Sequence, residues 1–191
     1  MKKTFALFLA LILVYSTTCY AKESGRVYNC DYKVLSFNTN IEITKDAENV
    51  GNISGKIVRL VTDPLDFTDS YGEIIGQASD TYGFITQDTH GIMVKNTLEC
   101  IMEGKFAFFG EKYDILNNKQ EVIGSAKFNA FNTKGEIVDN DGKVIATYSS
   151  PFLMYDYDIT IYSDILSDEA VLLIMASYVS DIVADSESSD D

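Results

Sequence analysis

A chain of 191 residues, 46% hydrophobic and 23% charged, has the length of one domain or at most two and can bury a real core without disulfide scaffolding. Its 29 acidic against 15 basic residues give a net charge of −14, which disfavours nucleic acid and anionic lipid surfaces, whose phosphates need Lys and Arg. One of the three Cys stands at position 19, in a segment read below as a cleaved signal; the two Cys and one His that would remain cannot make a four-ligand structural zinc site unless carboxylates help.

Residues 1–21 have the layout of a secretory signal. Lys2 and Lys3 form a basic start, Phe5 to Tyr15 is an uncharged apolar run, and Cys19-Tyr20-Ala21 places small residues at −3 and −1 of a cleavage site. The run is shorter than the roughly 17–25 residues a membrane span needs, so cleavage after Ala21 is expected rather than a retained anchor. The bare Lys-Lys start and short apolar core look bacterial, with the periplasm or the exterior as destination. Lipid attachment at Cys19 is an alternative, but Ser16-Thr17-Thr18 lack the Leu and Gly of that signal. Cleavage would leave 191 − 21 = 170 residues with 15 − 2 = 13 basic and 29 acidic groups, a net charge of −16. In an oxidising compartment Cys30 and Cys100 then read as one disulfide across a long loop, the alternative being two buried thiols.

From Arg26 onward the chain reads as β-structure. Ile57 to Val61 ends at Thr62-Asp63-Pro64, Phe106 to Phe109 ends at Gly110, and Val144 to Tyr148 ends at Ser149-Ser150-Pro151; each is strand-length and bounded by turn formers. Residues 153–162 alternate in part, with Asp156, Asp158 and Thr160 on one polar face. Both prolines sit at boundaries, as suits a sheet in which every backbone N–H donates. A weak repeat runs through this region. Phe67 to Gly76 resembles Ile137 to Ala146, and Tyr113 to Gly124 is a looser copy. In each, an apolar residue leads into an Asp/Asn/Gly turn and apolar residues follow, which describes a β-hairpin; Asp141-Gly142 and Asn117-Asn118 suit positions of positive φ. Such hairpins predict an antiparallel meander that closes or nearly closes.

A helix is expected over 168–184, with Ser167 or Asp168 as N-cap and Asp168 and Glu169 at the positive dipole end. Its segment Ala170 to Tyr178, AVLLIMASY, is apolar on every side, and such a helix has to be enclosed. The natural enclosure is the sheet that precedes it. Only Ala170 to Ser180 is free of charge, too short to span a membrane. The reading is therefore a signal over 1–21, one β-barrel domain over 22–184, closed around this helix, and an acidic, disordered tail over 185–191.

Hairpins of the form apolar-x-Asp-x-x-Gly, the strand Tyr155-Asp156-Tyr157-Asp158-Ile159 and the apolar C-terminal helix resemble the tubby C-terminal-like fold. Within it, the LURP-one-related and scramblase-like families are the nearest likeness. The resemblance covers about residues 55–184 and implies a closed antiparallel barrel of about a dozen strands wrapping a hydrophobic helix. It also implies phosphoinositide binding through a basic pocket, and here the sequence departs from the family. Lys56 with Arg59 and Lys105 with Lys112 are the nearest thing to a basic cluster, and the palmitoylated cysteine run of the scramblase relatives is missing. The fold is expected to transfer without that activity.

No constellation carries specific chemistry. His90, between Thr89 and Gly91, reads as a solvated turn residue rather than a catalytic base. Asp139-Asn140-Asp141-Gly142 starts like a calcium loop, but Val144-Ile145-Ala146 follows where ligands would have to stand, so a hairpin turn is expected. Asp156 and Asp158 read as the solvent face of a strand in preference to a pair of catalytic carboxylates. Asn52-Ile53-Ser54 is a glycosylation sequon of little meaning in a bacterium.

The 12 Tyr and 11 Phe are the surplus. Core filling accounts for most, while Tyr71, Tyr82, Tyr155 and Tyr157 are the candidates for an aromatic binding face, since Tyr is favoured where one end stays wet. The expectation is thus a non-enzymatic binding protein without metal or cofactor, its partner a protein or a small ligand. The alternative is a lipocalin-like carrier of an apolar molecule, with a hollow barrel and the helix outside. The absence of Trp speaks against it, and a thin polar stripe at Ser177, Asp181 and Asp185 speaks for it.

Overall fold

Twelve strands and one helix make up the computed structural model, which describes residues 24–33, 38–56, 64–80, 89–151 and 156–188. The strands are β1 (Arg26–Tyr32), β2 (Asn38–Lys45), β3 (Glu48–Lys56), β4 (Leu65–Asp69), β5 (Ile74–Asp80) and β6 (Thr89–Val94). They continue with β7 (Thr97–Lys105), β8 (Glu111–Asn117), β9 (Val122–Phe128), β10 (Lys134–Asp139), β11 (Val144–Ser149) and β12 (Asp156–Ile161), followed by α1 (Asp168–Ser188). Each strand pairs antiparallel with its neighbours in sequence, and β12 pairs with β1 over Arg26↔Ile161 to Asp31↔Asp156, which closes the barrel. Closure removes the unpaired strand edges on which sheets aggregate.

Twelve strands enclose a lumen too wide for their own side chains, because barrel diameter grows with strand number. The helix fills it. Every residue of α1 from Ala170 to Ser180 is buried, on all sides of the helix. Burying Val171, Leu172, Leu173, Ile174, Met175 and Val179 at about 1.5–3 kcal/mol each outweighs the typical net stability of a domain. The barrel is therefore stable only with its helix inside. The carrier alternative needed a hollow barrel and an outer helix; of the stripe that favoured it, Ser177 is fully buried and Asp181 meets His90 of β6, while the side chain of Asp185 lies outside the described residues.

The helix lies off-centre. It packs closest on β5 and β6, and β5 makes room with small interior residues, Gly76 and Ala78: a Cβ added to Gly76 would come within 2.8 Å of Leu173 Cδ1. Aromatics fill the wider gap opposite. Tyr113, Phe128 and Tyr148 meet Tyr178 of the helix, with Phe128 stacked on it at 3.4 Å between centroids, and Tyr157 packs on Tyr148 at 5.3 Å. That wall explains much of the aromatic surplus as core.

The outer wall is polar, as alternation demands once the inner face is apolar. On β12, Asp156 and Asp158 are exposed while Tyr157, Ile159 and Ile161 are buried. Outward charge with inward apolarity is the reverse of a lipid-exposed transmembrane barrel.

The repeat corresponds to three like turns. Asp69 Oδ1 accepts the backbone N–H of Tyr71 and Glu73 at 2.9 and 3.0 Å, Asn117 Oδ1 those of Lys119 and Glu121 at 2.8 and 3.0 Å, and Asp139 Oδ1 those of Asp141 and Lys143 at 2.9 and 2.8 Å. The fourth residue of each has positive φ: Gly72 at 85°, Gln120 at 65° and Gly142 at 78°. The expectation for Asp141-Gly142 holds at Gly142. In the looser copy positive φ falls on Gln120 instead of Asn117-Asn118, because Asn117 plays the part of Asp69 and Asp139 as the accepting side chain. The segment 139–142 is a hairpin turn with its leading carboxylate already occupied by backbone.

Two sequence readings change. Phe106 to Phe109 is not a strand: the β7–β8 ladder ends at Lys105↔Lys112, and Gly110 at φ 68° returns the chain. The helix also runs on to Ser188, into the segment read as a disordered tail. Residues 1–21 and the predicted strand over 57–61 lie outside the described residues.

Candidate functional site

The meander gives the barrel two unlike ends. Turns β2–β3, β4–β5, β6–β7, β8–β9 and β10–β11 lie at one end, where β12 also hands over to α1. The connections β1–β2, β3–β4, β5–β6, β7–β8, β9–β10 and β11–β12 lie at the other, where the helix leaves.

At the first end a clasp holds the start of the helix. Arg26 donates from Nε and Nη2 to the Asp168 carboxylate at 2.9 and 2.7 Å, and the Tyr28 hydroxyl donates to Asp168 Oδ2 at 2.5 Å. Asp164 lies 2.7 Å from Arg26 Nη2. Ser167 caps the helix, its Oγ accepting from the Ala170 N–H at 3.1 Å and donating to Glu99 Oε2 at 2.7 Å. Burial works against an ionised Asp168, but the Arg26 and Tyr28 hydrogen bonds outweigh it and hold this carboxyl below its ordinary value. Burial, and then donation to Asp168, push the Tyr28 hydroxyl well up. A crevice of about 530 Å³ opens beside the clasp between Val50, Phe67, Ile75 and Leu172, but Arg26, Asp164 and Asp168 in it already pair with one another.

At the second end the two described loops, 106–110 and 129–133, are aromatic. Phe106, Phe108 and Phe109, between β7 and β8, are 77%, 87% and 91% exposed, and Phe131, between β9 and β10, is 84% exposed. Large apolar side chains grouped in this way mark an interaction site. Phe106 and Phe108 meet edge to face at 5.4 Å, which gives the loop a defined shape. Asn132, at φ 55°, accepts from the Tyr178 hydroxyl at its side chain (2.6 Å) and from the Tyr148 hydroxyl at its carbonyl (3.3 Å). The loop is thereby tied to the helix while Phe131 is turned outward.

His90 belongs to this end and is not a solvated turn residue. It is the second residue of β6, 2% exposed, with Nε2 2.7 Å from Asp181 Oδ2 on the helix. The β5–β6 ladder places it opposite Asp80, and the alternation of β6 turns its ring inward.

The predicted binding tyrosines do not form one face. Tyr71 is 90% exposed on a turn at the clasp end, whereas Tyr157 is 2% exposed in the core, because its neighbours Asp156 and Asp158 take the outer face. Tyr82 and Tyr155 lie outside the described residues. So do Arg59 and the side chain of Lys56. Lys105 and Lys112 are register partners on the outer wall, with Lys105 bound to Glu103 at 3.2 Å and near Asp114 at 3.6 Å.

Cys30 and Cys100 are free and buried, and the expected disulfide is corrected. Their strands, β1 and β7, stand six places apart either way round the barrel, with α1 between, whereas a disulfide needs Cα atoms within about 7 Å. Burial pushes both thiols up, that of Cys100 to about 12, so neither is a ready nucleophile. Asp156 and Asp158 lie on the outer wall near Asp31, and Asn29 donates to Asp158 at 2.7 Å. Among the described residues no group of His, Cys, Asp and Glu is arranged to hold a metal ion.

Fold and surface together define a class: a closed, helix-filled antiparallel barrel with one aromatic rim. No family model, curated protein or solved structure matches the chain.

Proposed function

We propose that this chain is an exported, non-enzymatic binding protein on a tubby-like barrel and that the aromatic rim is its contact surface. One observation carries the reading: Phe106, Phe108, Phe109 and Phe131 stand 77–91% exposed at one end of a barrel whose lumen is already full. Burying each on a partner contributes about 1.5–3 kcal/mol, so a few such anchors suffice for a specific complex. Export rests on the signal-like residues 1–21.

The test is a photo-reactive side chain placed at position 108 or at position 71 in protein expressed with its own leader. Cross-linked partners from 108 and none from 71 are expected. Equal yields from both positions, or none from 108, would remove the rim as the contact surface.

A further inference from the structure

We infer that the crevice beside the clasp is a binding site for a small monocationic amphiphile, a primary amine on an apolar chain. The site lies at the end of the barrel opposite the phenylalanine loops and is independent of them.

The crevice forms where the start of α1 meets β1, β3, β4 and the start of β5, and Val50, Phe67, Ile75, Leu166 and Leu172 give it apolar walls. Val50 and Ile75 are only half-buried, so part of this apolar lining faces water. Its volume of about 530 Å³ falls within the roughly 300–1,000 Å³ of small-molecule sites. The walls are fixed before anything binds. The Phe67 ring lies against Gly51, where an added Cβ would come within 2.8 Å of Phe67 Cε2. The helix start is held by Arg26 and Tyr28 through Asp168, and by Glu99 through Ser167. A preformed site spares its ligand the cost of ordering it.

The polar lining supplies the sign of the charge. One basic group, Arg26, stands there against three acidic ones, Asp164, Asp168 and Glu169. Asp164 and Asp168 share Arg26, each at 2.7 Å from Nη2. Lys45, outside the lining, stands 5.1 Å over the Tyr28 ring, and with it counted two cations still meet three carboxylates. Glu99 is occupied by Ser167, accepting from its N–H at 2.6 Å and its hydroxyl at 2.7 Å. Glu169 is left over. It makes no ion pair or hydrogen bond among the described residues, and its charge acts on the Tyr28 hydroxyl in the crevice wall. An ammonium group pairs with Glu169 while the chain attached to it covers Val50, Ile75 and Leu172. A carboxylate or phosphate head would instead meet the surplus of negative charge.

The experiment is calorimetry on the full chain at neutral pH with three probes of one chain length: octylamine, octanoate and 1-octanol. Octylamine is expected to bind at one site, at least about tenfold more tightly than either of the others. Glu169→Gln reduces it to the level of 1-octanol. Asp156→Asn, which removes the same charge from the outer wall, leaves it unchanged, and so does Phe108→Ser on the opposite end. Ile75→Trp fills the crevice and abolishes binding. Melting curves show which variants keep the fold, and the comparison of Glu169→Gln with Asp156→Asn decides alone if Ile75→Trp does not. Equal loss in those two would show general charge attraction and overturn the inference. So would a preference for octanoate or 1-octanol, octylamine binding unmoved by Glu169→Gln, or no binding at millimolar concentration.

Discussion

The two ends of this barrel are built from opposite materials. At the clasp end the connections are tight and polar: Asp46-Ala47 and Lys95-Asn96 turn the chain in two residues of positive φ, and three further turns are closed by Asp69, Asn117 and Asp139. At the aromatic end the chain carries Phe106, Phe108, Phe109 and Phe131 into solvent on loops that no strand pairing requires. Backbone geometry dictates the residues of a tight turn. It does not dictate four exposed phenylalanines, and this is why the second end is where a contact surface is sought. The ends share the helix. One holds its start by charge, and the other meets its exit through Tyr178 and His90.

That division of labour can be broken from the inside first. Tyr178→Ala removes the ring against which Phe128, Tyr113 and Tyr148 pack, and should cost about 3–5 kcal/mol in urea unfolding. A loss below about 1 kcal/mol would mean that the helix does not fill the aromatic side of the lumen. Asp168→Ala leaves the Arg26 guanidinium and the Tyr28 hydroxyl without their carboxylate and should cost about 2–3 kcal/mol. The pH dependence follows from the same contact. The Asp168 pKa is depressed in the folded state, so its contribution is fully present above the unfolded value of about 3.9 and is lost as pH falls through the folded value. Unfolding curves from pH 7 down to pH 2 should show that loss in the native chain and a flatter profile in Asp168→Asn.

Tyr178→Phe keeps the stacking and removes only the bond to Asn132, for about 1 kcal/mol. Phe108→Ser and Tyr71→Ser should each move stability by no more than about 0.5 kcal/mol, since both side chains are exposed. Only the first should weaken binding at the rim. Thiol titration gives an independent check on the packing: Cys30 and Cys100 should stay unreactive towards a disulfide reagent in the folded protein and both react in denaturant without reductant. A linked pair would leave no thiol to titrate and would contradict strands placed across the barrel from each other.

Much of the architecture was legible because it is written in local pattern. The enclosed helix shows in AVLLIMASY, since an all-round apolar segment has no other place to be, and the hairpins show in the spacing of Asp69 to Gly72 and Asp139 to Gly142. The candidate site was less so. Phe106 to Phe109 has the apolarity of a buried strand, and periodicity cannot tell four residues in a ladder from four residues beyond its end. Tyr157 was assigned to a surface although the alternation with Asp156 and Asp158, which the sequence displays, already turns it inward.

Turns, strand faces and the enclosed helix depend on residues a few places apart, so the amino-acid order was enough to state them. The rest depends on which strands become neighbours when β12 closes on β1. Closure sets Cys30 opposite Cys100, brings His90 to Asp181 and Arg26 to Asp168, and ties the loop that carries Phe131 to the helix through Asn132 and Tyr178. Those pairs lie from 46 to 142 residues apart along the chain, where pairing in the folded barrel decides which side chains meet and local preference has no influence.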